Sequence, residues 1–133
     1  MKFLIDNIFL IALVAVSGGA LLIPALQRRG AKVSLLQATQ LMNQNKSTVV
    51  DVRTAEEFAA GHIKNAKNIP LSDLANRLKE LEKQKPHPVI AVCASGTRSA
   101  TATVMLNRAG FVNVVSLDGG MSAWQGQGLP VVK

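Results

Sequence analysis

Between Asn7 and Gln27 the chain runs for 21 residues without a charge, NIFLIALVAVSGGALLIPALQ. A helix needs about 20 such residues to cross a ~30 Å hydrocarbon layer. A helix packed onto a small soluble domain would interleave polar positions, and this run lacks that alternation. Gly18, Gly19 and Pro24 weaken a helix in water but are tolerated in a membrane. The run therefore predicts one N-terminal transmembrane helix, an anchor over residues 1–27 that meets membrane lipid at 7–27. Arg28, Arg29 and Lys32 follow it, against Lys2, Asp6 and the amino terminus before it. By the positive-inside rule, the chain is expected to be a single-pass protein of the inner (plasma) membrane with its C-terminal domain in the cytoplasm. A cleaved secretory signal is the alternative, because Gly18-Gly19-Ala20 resembles a small-residue cleavage site. Against it, the apolar run continues to Leu26 and the basic cluster lies on the wrong side for export.

With 133 residues in all, the rest is one domain: a basic linker over 28–33 and a folded unit over 34–133. The single cysteine excludes an internal disulfide and a cysteine-built zinc site. The net charge is +7, of which residues 1–33 carry +3; the remaining +4 is scattered, and aromatic residues make up 4%. Without a basic run or aromatics to stack on bases, nucleic-acid binding has no support. A small anion, or the anionic face of a bilayer, suits the sign.

Local patterns place the elements. Ser34 and Gln37 have capping-box spacing, followed by a helical face of Leu35, Leu36, Ala38, Leu41 and Met42. Thr48 to Val52 is a β-branched run short enough to be a strand buried on both faces. Thr54 and Glu57 form a second capping box, opening a brief helix that Gly61 stops. Ile69-Pro70 ends an extended piece, and Ser72 is expected to cap an amphipathic helix through Leu74, Leu78 and Leu81 that dies at Pro86 and Pro88. Val89 to Val92 is a second strand, residues 99–109 a helix, Asn113 to Leu117 a third strand. Asp118-Gly-Gly120 then turns into a short helix carrying Trp124. Strands alternating with helices predict an α/β fold, a small parallel β-sheet flanked by helices. Ligands bind such sheets beyond the carboxyl ends of the strands. Asp51-Val-Arg53, Cys93 to Arg98 and Asp118-Gly-Gly120 all fall there.

The segment AVCASGTRSATATVML reads as strand, loop, helix, with Cys93 first in the loop. Ala94, Ser95, Gly96 and Thr97 are small, so the loop can curl with its N–H groups inward. Backed by the positive end of a helix, such a nest binds anions. A thiol at its centre is acidified: cysteines at helix N-termini reach pKa values of about 3.5–7.5 against ~8.5 when free. Cys93 is then prepared to attack an electrophilic sulfur or phosphorus, and Arg98 adds a charged fork for an oxyanion. A cysteine at a strand end is by itself more often a small buried hydrophobe. The small-residue loop, the arginine five positions on and the helix behind it reverse that reading. His62, after Gly61, orders a connection through hydrogen bonds, and His87, between two prolines, lies in a solvated turn.

Asp51-Val-Arg53, Glu56-Glu57-Phe58, Gly61-His62-Ile63, Asn65-Ala66, Asn68-Ile69-Pro70, the loop Cys93-Ala-Ser-Gly-Thr-Arg-Ser99 and Gly119-Gly120-Met-Ser-Ala-Trp124 together resemble the rhodanese family over residues 34–133. One departure is Asn65, where the family often has Gly; Asn tolerates the left-handed turn. The resemblance implies a single-domain sulfurtransferase in which Cys93 takes a sulfane sulfur from a small donor anion such as thiosulfate. The resulting persulfide passes that sulfur to a thiophilic acceptor, in the cell a thiol. It further implies that the loop N–H groups from Ala94 to Arg98 cradle the sulfur and that Arg98 helps hold the donor. Asp51, Arg53 and Ser99 become supporting residues, and no metal or other cofactor is implied.

Two other uses of the same features stay open. One is a non-catalytic module that holds membrane proteins as partners, since function lives in the site rather than the fold. The other is a phosphatase or arsenate reductase on the same fold. Phosphatase relatives place five residues between Cys and Arg, whereas this chain has four, and the tighter loop favours sulfur chemistry.

Overall fold

The computed structural model describes residues 1–16, 31–44 and 46–133. The first helix, α1 (Lys2–Asp6), closes on Asn7, whose side-chain amide donates to Phe3 O at 2.8 Å, and the chain is helical again over 8–16. Apolar side chains here are bare, with Phe3 75% and Phe9 86% exposed. Among the described residues no helix is long and apolar enough to cross a membrane. The span predicted over 7–27 thus meets a break at Asn7, and its remainder, 17–27, lies outside the described residues together with Arg28 and Arg29.

The described residues build a five-stranded, all-parallel sheet in the order β1-β5-β4-β2-β3. Its strands are β1 (Ala31–Val33), β2 (Thr48–Asp51), β3 (Lys67–Asn68), β4 (Pro88–Val92) and β5 (Asn113–Leu117). Side chains alternate strictly between the two faces, as the pleat requires. Val50, Val89, Ala91, Cys93 and Val114 face one core, completed by Leu74, Leu81, Ala102 and Leu106. Val49, Ile90, Val92, Val115 and Leu117 face the other, completed by Ala38, Met121 and Trp124. Both faces are therefore covered, which explains why the strands read as apolar runs. Each fully buried aliphatic side chain here contributes about 1.5–3 kcal/mol.

Both capping boxes form. Ser34 Oγ accepts from Gln37 N–H at the start of α2 (Leu35–Met42), and Thr54 Oγ1 accepts from Glu57 N–H at the start of α3 (Ala55–Ala60); each partner side chain returns to the cap's own N–H. Asn65 takes the left-handed turn at φ 66°. Two expectations need correction. Residues 31–33, read as the end of the linker, are an edge strand, because Asp118 N–H donates to Val33 O at 2.9 Å and draws them onto β5. The extended piece before Pro70 forms as read and is also paired, as β3 beside β2. Ser72 caps nothing: Pro70, whose missing N–H suits a helix start, holds that position for α4 (Leu71–Leu74). The chain then wraps as a 3₁₀ helix (Leu78–Gln84), so Leu74 and Leu81 reach the core without one continuous helix between them.

Two helices complete the layout, α5 (Thr97–Arg108) behind the cysteine loop and α6 (Gly120–Gly126) after the diglycine turn. The tail beyond α6 folds back over its neighbours. Trp124 Nε1 donates to Pro130 O at 2.9 Å, and His62 and Val132 exchange both backbone hydrogen bonds. His62 also stacks on Phe58, with its Nδ1 2.8 Å from Phe58 O, so it orders a connection as its position suggested.

Candidate active site

β4 ends at Val92 and delivers Cys93 beneath the loop that opens α5, with no accessible surface of its own. The closest hydrogen bonds of its sulfur are to Gly96 and Ser99. Gly96 N–H donates to Sγ at 2.9 Å, and the thiol donates to Ser99 Oγ at 3.4 Å. The turn that aims the Gly96 amide at the sulfur needs φ 107° at Gly96, a conformation L side chains rarely adopt. Ser99 sits in the first turn of α5, where its hydroxyl donates to Gly96 O at 3.1 Å and lies 2.6 Å from Ser116 Oγ.

Burial pushes the Cys93 thiol upward. The Ser99 hydroxyl and the N–H groups of Ser99, Gly96 and Ser95 together outweigh it, leaving the thiol below its ordinary value. This is the acidification the loop's composition suggested, achieved by fixed donors rather than by a histidine base.

The loop is held from behind by α6. Met121 N–H donates to Cys93 O at 2.7 Å and Ser122 N–H to Ala94 O at 2.9 Å. These bonds occupy the carbonyls of Cys93 and Ala94, while the amides that meet the sulfur are those of Ser95, Gly96 and Ser99. The bonds from α6 require close backbone approach at Gly120, where a Cβ would stand 2.2 Å from Cys93 O and 2.8 Å from Ala94 C.

Arg98 does not point to the sulfur. Its Nη1 and Nη2 donate to Glu57 Oε1 and Oε2 at 2.7 and 3.0 Å, a fork that fits the carboxylate. The loop is thereby fastened to the N-terminus of α3, where Thr54 also donates to Glu57 Oε1. Hydrogen bonds from Arg98 first, and from the Thr54 amide and hydroxyl after them, hold the Glu57 carboxyl at about 2. A carboxyl lowered on folding stabilises fully above its ordinary value of 4.5, and that contribution fades as the pH falls toward 2. Both side chains are about a third exposed, so it amounts to about 1 kcal/mol or less at neutral pH. Glu57→Gln, which keeps a competent N3 residue, is therefore expected to flatten the loss of stability between pH 4.5 and 2 in denaturant titrations. Glu80, held at about 2 by Arg77 and then Lys67, titrates in the same window in both proteins. Curves for wild type and variant that run parallel through this range would refute the assignment.

Asp51 and Arg53 form a buried pair, Arg53 Nη2 to Asp51 Oδ2 at 2.8 Å, and the same Nη2 donates to Gly61 O at 2.7 Å. Asn68 Nδ2 donates to both Asp51 O and Arg53 O. The pair braces the end of β2 against the turn after α3, and its hydrogen bonds go to Gly61 and Asn68 rather than to the cysteine loop. Ala94, Ser95, Gly96 and Thr97 make up the loop between Cys93 and Arg98. Beyond α5, Ser95, Gly96, Thr97, Thr101 and Ser116 line a pocket of about 410 Å³ whose rim carries Lys32 and Asp118. Among the described residues no cluster of three or more His, Cys, Asp or Glu side chains could hold a metal ion.

Sequence reading missed Ser116 and the partner of Arg98. Ser116 carried a signal, being the one polar side chain inside Val114-Val-Ser-Leu117; a buried hydroxyl needs a partner. Nothing local marks Glu57 as the anchor of a loop 41 positions away.

Residues 34–127 match the family model described as the rhodanese-like domain. YibN of Escherichia coli is 36% identical over 118 residues, covering 86% of this chain and 82% of its own. That match spans more of the chain than residues 34–133 alone. The protein named thiosulfate sulfurtransferase GlpE of Pseudomonas putida is 36% identical over 89 residues, 67% of this chain and 79% of its own. Among solved structures, a rhodanese-related protein of Thermoplasma volcanium superposes with a TM-score of 0.69 at 34% identity, covering 77% of this chain and 97% of that one.

Proposed function

The chain belongs to the rhodanese-like domain family, and from that premise we propose that it is a sulfurtransferase carrying sulfur as a persulfide on Cys93. The observation that carries this reading is the acidified sulfur with Gly96 N–H 2.9 Å away, at the floor of a loop only four residues long before Arg98. Cys93 thiolate attacks the outer sulfur of a donor such as thiosulfate. The bond between the two donor sulfurs breaks, sulfite leaves with its electron pair, and Cys93 holds a persulfide whose negative charge the loop amides face. An acceptor thiolate then attacks the terminal sulfur, the persulfide bond breaks, and the electron pair returns to Cys93. Because Cys93 has no exposed surface, the loop must part before the donor reaches it. Arg98, a third exposed, is the side chain free to swing from Glu57 toward an arriving anion.

The experiment is a paired assay of the purified protein: thiosulfate-dependent sulfur transfer to cyanide or a thiol, and hydrolysis of a phosphate ester. Transfer with negligible phosphatase turnover is expected. Phosphate-ester turnover that Cys93→Ser abolishes would place the site in phosphoryl chemistry instead.

Residues 1–27 tether the domain to the inner membrane, with the domain on the cytoplasmic side. The uncharged run over 7–27 and the bare apolar side chains of 3–16 support this, because so large an exposed apolar surface calls for lipid or protein cover. A thiolate carrier also needs a reducing compartment. Membrane-impermeant thiol labelling of a cysteine introduced at Lys133 tests the orientation: protection in intact cells is expected, and labelling there would reverse it.

A further inference from the structure

Cys93 lies out of reach of solvent, so the proton it gives up on ionising needs a route. The backbone amide of Gly96 can only donate to the sulfur, which leaves Ser99 Oγ as the acceptor for the thiol hydrogen. Ser99 in turn lies 2.6 Å from Ser116 Oγ, a short contact between two buried hydroxyls. Ser116 stands on the α5 face of β5, paired in register with Lys32 on β1 and Ala91 on β4, and it alone of the three hydroxylated or thiol side chains lines the pocket rimmed by Lys32 and Asp118.

We propose that Ser116 is a positioning residue for the sulfur chemistry, acting through Ser99 to orient the hydroxyl that meets Cys93 and to pass the thiol proton to the pocket. In the thiol state the S–H donates to Ser99, whose own hydrogen has two acceptors in reach, Gly96 O at 3.1 Å and Ser116 Oγ at 2.6 Å. On ionisation the hydrogen of Cys93 moves to Ser99 Oγ, that of Ser99 to Ser116 Oγ, and that of Ser116 to a water in the pocket. No electron changes owner, and one proton reaches solvent. With the hydrogens so shifted, Ser99 donates to the thiolate and Ser116 donates to Ser99. Gly96 O can only accept from Ser99, whereas the Ser116 hydroxyl can both accept and donate, so Ser116 is the group that can donate to Ser99 when Ser99 donates to the thiolate. The charged groups around the chain are Arg98 on the loop, Asp51 at the end of the adjacent β2, and Lys32 and Asp118 at the pocket; none of these replaces a hydroxyl at position 116.

The inference rests on Cys93 being the reacting thiol. The chain has one cysteine and no tyrosine, so the ultraviolet absorbance of the thiolate, with Cys93→Ala as the blank, reports this site alone. Ser116→Ala is expected to raise the apparent thiol pKa by about one unit, a tenfold loss of thiolate well below it. Ser116→Thr should restore the wild-type titration, and Ser116→Ala should add nothing in a Ser99→Ala background. A Ser116→Ala curve that overlays wild type would overturn the proposal, as would an equal shift with Ser99 absent. Should Ser116→Ala not fold, Ser116→Thr against Ser116→Val, matched in shape, gives the same comparison. The titration uses no sulfur donor. A normal wild-type curve in a protein that never gains sulfur would therefore refute the transferase reading and leave the role of Ser116 standing.

Discussion

Cys93→Ala is expected to reduce thiosulfate-dependent sulfur transfer to the uncatalysed level, a loss of about three orders of magnitude or more, while the protein keeps its fold. Removing a nucleophile leaves only substrate binding and electrostatics, and in enzymes with a covalent intermediate the loss is of that size or greater. The fold survives because alanine removes one sulfur atom from a core otherwise built of Val50, Ala91, Leu106 and their neighbours. A cavity that small costs about 1–2 kcal/mol. Steady-state rates with a thermal melt of the same sample decide the matter. A variant that melts like wild type and retains a tenth of its activity would remove Cys93 from the chemistry. Full rescue of a deletion strain by Cys93→Ala would point to a binding module.

Gly120→Ala is expected to be the most damaging small substitution outside the loop itself. The new methyl would meet Cys93 O at 2.2 Å and the carbonyl of Ala94 at 2.8 and 2.9 Å, all backbone atoms with no rotamer to give. The residue also sits at φ 55°, an added cost for an L side chain. Overpacking of this kind costs about 1–3 kcal/mol, with about 1–2 more for the left-handed backbone. Relief requires α6 to back away from the loop, breaking the bonds from Met121 and Ser122 that set its carbonyls. Stability and thiol acidity should therefore fall together, read as a lower melting temperature and a raised thiol titration. Gly126→Ala, where the added methyl meets nothing within 4 Å, is the control. If Gly120→Ala were as benign as that control, α6 would not be what holds the loop.

What the chain disclosed by itself follows from the range of the interactions involved. The two capping boxes close over three residues, the strands are continuous apolar runs, and the turn at Asn65 depends on one residue's backbone, so all were legible locally. The edge strand Ala31–Val33 was not, since a three-residue segment with an exposed lysine becomes a strand only when β5 offers it a ladder. For β3, two residues long, the extended run was legible and its pairing with β2 was not. At the site, the acidified cysteine could be read from the small loop and the helix behind it. The direction of Arg98 could not: it is fixed by a carboxylate brought in from α3 by the fold. Ser99 and Ser116 likewise meet only because α5 packs on β5. Short-range chemistry was visible, and what tertiary packing brings together was not.

That a loop of backbone amides makes one buried sulfur able to carry another is tested most directly by weighing the protein. After treatment with thiosulfate and removal of excess donor, intact mass spectrometry should show the gain of one sulfur atom, mapped to Cys93, absent from Cys93→Ala and discharged by a thiol acceptor. A wild-type mass unchanged after treatment, with the fold intact, would contradict the account.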